Sequence, residues 1–192
     1  MVSILVSNPI TGPSTRSAYN TTGKDVETNE EVAIKLEHHE VFPSLLEEEV
    51  DIYRSLSGRV GFPQLYWDGV HDDFRVMVFE LLGPNLEELF RYCGNRFSLK
   101  TTLMIFDQLL HRFESLHSIQ FLHRDVKPEN FLMGLGKRGN LIYMTDLGLA
   151  ILHQPDQTVS GSTSVRNPQL IGTCRYASIN GHLGIGVQHS MS

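Results

Sequence analysis

Apolar and polar positions along the chain of 192 residues fall into two regimes, alternation in the first half and spacings of three and four in the second. Residues 1–22 follow neither. They are rich in Ser, Thr, Asn, Pro and Gly and read as a loose leader. The β-branched run Glu31-Val32-Ala33-Ile34-Lys35-Leu36 follows a polar Thr28-Asn29-Glu30 turn and predicts a strand. Ser44, with Glu47 three residues later, predicts a capping box for a helix that reaches about Leu56 and stops before Gly58. Phe74 to Glu80 reads as another strand, partnered by Leu65-Tyr66-Trp67 before Asp68-Gly69. The first half is therefore expected to be strands with one helix.

Beyond residue 83 the pattern turns helical. Asn85 with Glu88 predicts a capped short helix ending near Gly94. Ser98 opens a longer one, in which Leu103, Phe106, Leu110, Phe113 and His117 recur at spacings of three and four. That stripe predicts a core face, with His117 packed at the helix end rather than acting as a ligand. Leu141 to Thr145 predicts a strand after a glycine-bounded turn over 134–139, and the chain becomes polar and loop-like after Ala150. No segment repeats another.

Composition narrows the function classes. An apolar fraction of 41% and a charged fraction of 20% are ordinary for a soluble globular protein. A net charge of -6 without a lysine- or arginine-rich block argues against nucleic acid as a partner. Cys93 and Cys174 lie far apart in no metal-ligand pattern, which fits a reducing, intracellular compartment. The N-terminal Met-Val-Ser-Ile-Leu-Val-Ser lacks a basic region and is cut by Asn8-Pro9, so it makes a poor signal peptide. No apolar run approaches the ~20 residues that span a bilayer. The expectation is a soluble protein of the cytoplasm or nucleus, without a membrane partner.

Candidate chemistry concentrates in His123-Arg124-Asp125-Val126-Lys127-Pro128-Glu129-Asn130, followed by Asp146-Leu147-Gly148. Phosphoryl transfer from ATP needs these groups. A carboxylate (Asp125) orients the attacking hydroxyl and takes its proton, and a lysine (Lys127) steadies the γ-phosphate. An amide (Asn130) and a second carboxylate (Asp146) hold Mg²⁺ against phosphate oxygens. A lone Val-Ala-Ile-Lys is usually a buried strand, and Glu49 inside a Glu run is usually a solvated helix face. Their order relative to His123-Arg124-Asp125 lifts both.

These residues resemble the protein kinases. Phe131-Leu132-Met133-Gly134-Leu135-Gly136-Lys137, Leu81-Leu82-Gly83-Pro84-Asn85-Leu86 and Gly172-Thr173-Cys174-Arg175-Tyr176-Ala177-Ser178-Ile179-Asn180 are similar to the casein kinase I family. Its members carry Ser-Ile-Asn where most kinases carry Ala-Pro-Glu. The likeness covers about 23–185 and implies an α+β, two-lobe kinase-like fold, incomplete at both ends. A small β-rich N-lobe with one helix would occupy 23–82. A partial helical C-lobe with catalytic loop and activation segment would occupy 83–185, between the leader at 1–22 and an atypical tail at 186–192.

The resemblance also implies roles. Asp125 would be the catalytic base and Lys127 its phosphate-steadying neighbour, with Asn130 and Asp146 on Mg²⁺. Lys35 would contact the α- and β-phosphates of ATP, and Glu49 would pair with that lysine. Phe79 would close the back of the adenine pocket, Glu80 to Leu82 would form the hinge, and Leu132 would floor the purine. Arg124 would pair with a phosphate or carboxylate of the activation segment, and Arg175 would read acidic or pre-phosphorylated Ser/Thr protein substrates. Leu147 replaces the usual Phe after the metal aspartate and keeps its apolar packing. Thr145 puts a hydroxyl near the adenine pocket.

Departures from the family temper this. The stretch at 10–20 has one glycine and a proline where a Gly-x-Gly-x-x-Gly loop would cover the phosphates, which predicts a sheet short of a strand. After Ile185 no helical period continues, which leaves part of the 98–118 helix uncovered. Ile151-Leu152-His153-Gln154 lacks the family's lysines. Two outcomes follow, an active Ser/Thr kinase or an impaired kinase-like binding module.

Overall fold

The computed structural model describes residues 4–6, 19–153 and 171–183. Strands β1 (Ile4–Val6), β2 (Tyr19–Asp25), β3 (Glu31–His38), β4 (Leu65–His71) and β5 (Phe74–Glu80) form one antiparallel sheet in the order β1-β2-β3-β5-β4. The stretch expected as a loose leader thus supplies β1 and the start of β2, with Val6 opposite Gly23 and Thr21 opposite Ile34. The sheet is not short of a strand. Pairing here is carried by backbone groups, which need no apolar alternation to announce them. Residues 10–18 of the segment in the glycine-rich loop's place lie outside the described residues, as does the tail at 186–192.

Alternation on β3 sorts its side chains. Val32, Ile34 and Leu36 pack with Val76 and Val78 on one face. The intervening Lys35 and Glu37 point toward helix α1 (Leu45–Ser55), where each meets a partner. Helix α1 buries Leu46, Glu49, Val50 and Tyr53 at spacings of three and four. Ser44 caps it by accepting the Glu47 N–H at 3.1 Å, but the expected box is only half formed. Glu47 instead takes the Arg75 Nε at 2.6 Å, and buried Glu37 accepts the Leu45 and Leu46 N–H groups.

Helix α2 (Leu86–Tyr92) starts on the complete Asn85/Glu88 capping box, and α3 (Leu99–Ser118) on Ser98. Strand β6 (Phe121–Leu122) pairs with β9 (Ile151–Leu152), β7 (Phe131–Met133) pairs with β8 (Ile142–Met144), and α4 (Ile179–His182) closes the described chain. One apolar cluster spans both halves, joining Leu46, Tyr53, Leu56 and Met77 to Leu116, Phe131, Met144 and Leu147.

The expected core face of α3 is corrected. Leu103, Phe106 and Leu110 are 57%, 57% and 51% exposed, and His117 is exposed as well. The helix instead buries Arg112 and Leu116, with Ile105, Leu109 and Phe113 packed beside them. The exposed positions agree with the expectation that part of this helix is left uncovered; periodicity identifies an apolar stripe but not what covers it.

Candidate active site

Two bonded groups meet between the sheet and the second half. In the first, Lys35 Nζ lies 2.7 Å from Glu49 Oε2 and 2.8 Å from Asp146 Oδ1. Helix α1 also holds the backbone beyond β8. Tyr53 OH accepts the Asp146 N–H and Glu49 Oε1 accepts the Leu147 N–H, both at 3.1 Å. Asp146 sits at φ 61, a conformation that a short polar side chain tolerates best, and Leu147 is fully buried. Burial alone would lower the Lys35 pKa, but the two carboxylates outweigh it and keep the ammonium charged. The Asp146 carboxyl is held below its ordinary range, because Lys35 outweighs the burial penalty. Burial pushes Glu49 upward, and Lys35 offsets this in part.

The second group surrounds Asp125, which is 5% exposed. Its Oδ2 faces Lys127 Nζ at 2.6 Å and the Asn130 Nδ2 at 3.2 Å. Its Oδ1 accepts the Thr173 N–H and the Thr173 hydroxyl, each at 2.7 Å. Burial would raise this carboxyl's pKa, but donation from Lys127 and Thr173 lowers it overall. Gly172 lets the segment approach, since at φ 87 a Cβ there would stand 2.5 Å from the Arg124 carbonyl oxygen. Thr145 ties the groups together, its N–H and hydroxyl both donating to the Asn130 carbonyl. That hydroxyl is therefore spoken for, rather than free beside a purine.

Asp146 Oδ2 and the Asn130 side-chain oxygen are the donors left over. Among the described residues no cluster of three or more His, Cys, Asp or Glu could hold a metal alone. Two oxygens suit a hard divalent cation that completes its shell with phosphate and water.

The remaining expected residues lie along the strip joining the halves. Phe79 packs on the shared core, and Leu132 on β7 bridges Asn85. Glu80 turns its carboxylate to Arg138 at 3.1 Å and to the Gln64 N–H, and its own N–H donates to the Gln64 carbonyl at 2.9 Å, so neither its side chain nor its N–H is left for a ligand. Neither backbone group of Leu82 bonds another backbone group among the described residues, whereas Gly83 N–H donates to the Met133 carbonyl at 2.7 Å. Arg175 stands apart from both groups, exposed and 5.5 Å from the Tyr176 ring centroid. Arg124 meets no carboxylate within hydrogen-bond reach among the described residues. Its Nε donates to the Leu149 carbonyl at 2.6 Å.

Tyr53 and Thr173 are site residues that sequence reasoning passed over. Tyr53 lies one helical turn beyond Glu49, a spacing that places both on one face. Thr173 carries no such signal, because its partner Asp125 is 48 residues away.

His123 is 2% exposed and held neutral: one ring nitrogen accepts the Asp125 N–H, and the other faces the Thr145 carbonyl at 3.1 Å. Burial lowers its pKa below 6.5, and the Thr145 bond offsets this only in part. The unfolded chain therefore takes up a proton here at a higher pH than the folded one. The contribution is present above the unfolded pKa and lost as pH falls through the folded value. Urea unfolding is expected to show stability declining as pH drops below 6.5, with a flatter decline in His123→Asn. An identical slope in that variant refutes the assignment.

In comparison with known families, the model of the protein kinase domain matches residues 17–187.

Proposed function

This chain belongs to the protein kinase domain family, and from that membership we propose a serine/threonine kinase of casein kinase I type. It passes the γ-phosphoryl group of Mg-ATP to protein hydroxyls in acidic or already phosphorylated contexts. The observation that carries the reading is the Asp125 carboxylate, buried and shared among Lys127, Thr173 and Asn130. ATP and a divalent metal follow from the family. Magnesium suits the Asp146 and Asn130 oxygens, and when bound it would neutralise charge on the transferring phosphate.

The chain's own residues supply positioning. Lys35, oriented by Glu49, presents its ammonium to nucleotide phosphates. Asp125 accepts the substrate hydroxyl's hydrogen bond in place of one of the four donors that now fill its two oxygens, and its lowered pKa suits late proton transfer in a loose transition state. Lys127 bridges that carboxylate and the Thr173 hydroxyl, at 2.6 and 3.1 Å, so its charge sits where the phosphate must pass. The Ser178-Ile179-Asn180 segment supports the casein kinase I type, with Ser178 capping α4. Arg175, exposed on the same segment, is the candidate reader of acidic sequence. The cytoplasm or nucleus is the proposed setting.

Radiolabelled ATP with matched peptides tests this. Serine and threonine peptides with upstream Asp or phosphoserine are expected to be labelled best, and Arg175→Ala is expected to lose that preference. Labelling of tyrosine peptides, or indifference to upstream charge, overturns the proposal. No transfer together with no nucleotide-induced thermal shift favours a binding module instead.

A further inference from the structure

Arg112 on α3 touches neither ionic group of the site, yet it is 6% exposed, unusual for a cation that has no carboxylate partner among the described residues. Its Nε donates to the Ile142 carbonyl on β8 at 2.9 Å. Its guanidinium also fills the space above Gly61, in the turn between α1 and β4. Gly61 has φ +83, and a Cβ there would stand 1.7 Å from Arg112 Nε and 2.3 Å from its Cδ and Cζ. The Gly61 carbonyl in turn accepts the Met144 N–H at 2.8 Å. One buried side chain thus lies against two segments that also bond each other.

Those segments carry the metal-site geometry. The turn at Gly61 follows α1, which presents Glu49 and Tyr53. Strand β8 runs through Thr145 into Asp146 and Leu147. The bonds from Tyr53 and Glu49 to the 146 and 147 N–H groups, 3.1 Å each, depend on how α1 and β8 are docked.

We propose that Arg112 is a positioning residue: by pinning the α1–β4 turn onto β8 it sets Asp146 against Lys35 and Glu49. Its consequence for phosphoryl transfer rests on the kinase reading above, but the docking itself does not. Residue-resolved amide exchange separates the two. In Arg112→Met the amides of Asp146 and Leu147 are expected to lose protection by roughly 10-fold, while those paired between β3 and β5 keep theirs. Arg112→Lys, retaining a charged donor, is expected to fall between. Uniform loss across all amides, or no change at 146 and 147, overturns the proposal. Calorimetry forms the second arm. The Mg²⁺-dependent gain in ATP affinity is expected to drop roughly 10-fold in Arg112→Met, with metal-free affinity little altered. Wild-type protein that binds no nucleotide would sink the kinase reading and leave the exchange result to decide Arg112.

Discussion

Asparagine in place of Asp125 is expected to lower phosphoryl transfer by roughly 10²- to 10⁴-fold, the usual worth of a positioned proton acceptor, with little change in nucleotide affinity. The geometry says why. The carboxylate receives four donors: the Lys127 ammonium and Asn130 amide on one oxygen, and the Thr173 N–H and hydroxyl on the other. An amide has one accepting oxygen, so its NH₂ must face one of those donor pairs, and that pair loses its acceptor. Either Lys127 or Thr173 is released. The substitution therefore removes the proposed proton acceptor and loosens Lys127 or Thr173 beside it. Single-turnover transfer at saturating Mg-ATP isolates the chemical step, and nucleotide titration isolates binding. A transfer rate within about threefold of wild type removes Asp125 from its role.

How much of this was legible in the sequence differs by element. Lys127, Asn130 and Asp125 lie within a few positions of one another, so their convergence is local and could be read directly. Lys35, Glu49 and Asp146 converge from a strand, a helix and a loop, and sequence spacing placed each on its element. It was strand alternation at Val32, Ile34 and Leu36 that turned Lys35 toward α1. Long-range docking was not legible. Glu37 capping α1 and Thr173 on Asp125 join residues whose local sequence favours neither contact. Strands β1 and β2 carry too little pattern to be read: β1 is only the three apolar residues Ile4–Val6, and β2 is a mainly polar strand that pairs through its backbone. The α3 stripe was misassigned because Leu103, Phe106 and Leu110 satisfy helical spacing as well as the buried Leu116 does.

Methionine in place of Lys35 is expected to destabilise the fold by about 3–5 kcal/mol at neutral pH, as well as abolishing the proposed phosphate contact. The Glu49 side chain is 2% exposed and that of Lys35 is 12% exposed, so solvent cannot replace the lost partner. Without the ammonium, Glu49 is left buried with Asp146 nearby, and both burial and that second carboxylate disfavour its charge. Its folded pKa then climbs further above its ordinary value of 4.5. The sign follows from linkage. A group whose folded pKa is raised contributes its stability fully below the unfolded pKa and loses it as pH rises through the folded one. The deficit of Lys35→Met relative to wild type should therefore be smallest near pH 4.5 and grow toward neutrality. Replacing both residues, as Lys35→Met with Glu49→Leu, removes the unpaired charge and should recover most of the stability while leaving transfer lost. Asp146 repeats the penalty only in part, because its side chain, although desolvated on one side, is 46% exposed. Urea unfolding of wild type, Lys35→Met, Glu49→Leu and the double variant at two pH values completes the cycle. A single-variant deficit below about 1 kcal/mol, independent of pH, would mean that water or a rearranged α1 solvates Glu49, and that the pair does not hold the helix to the sheet.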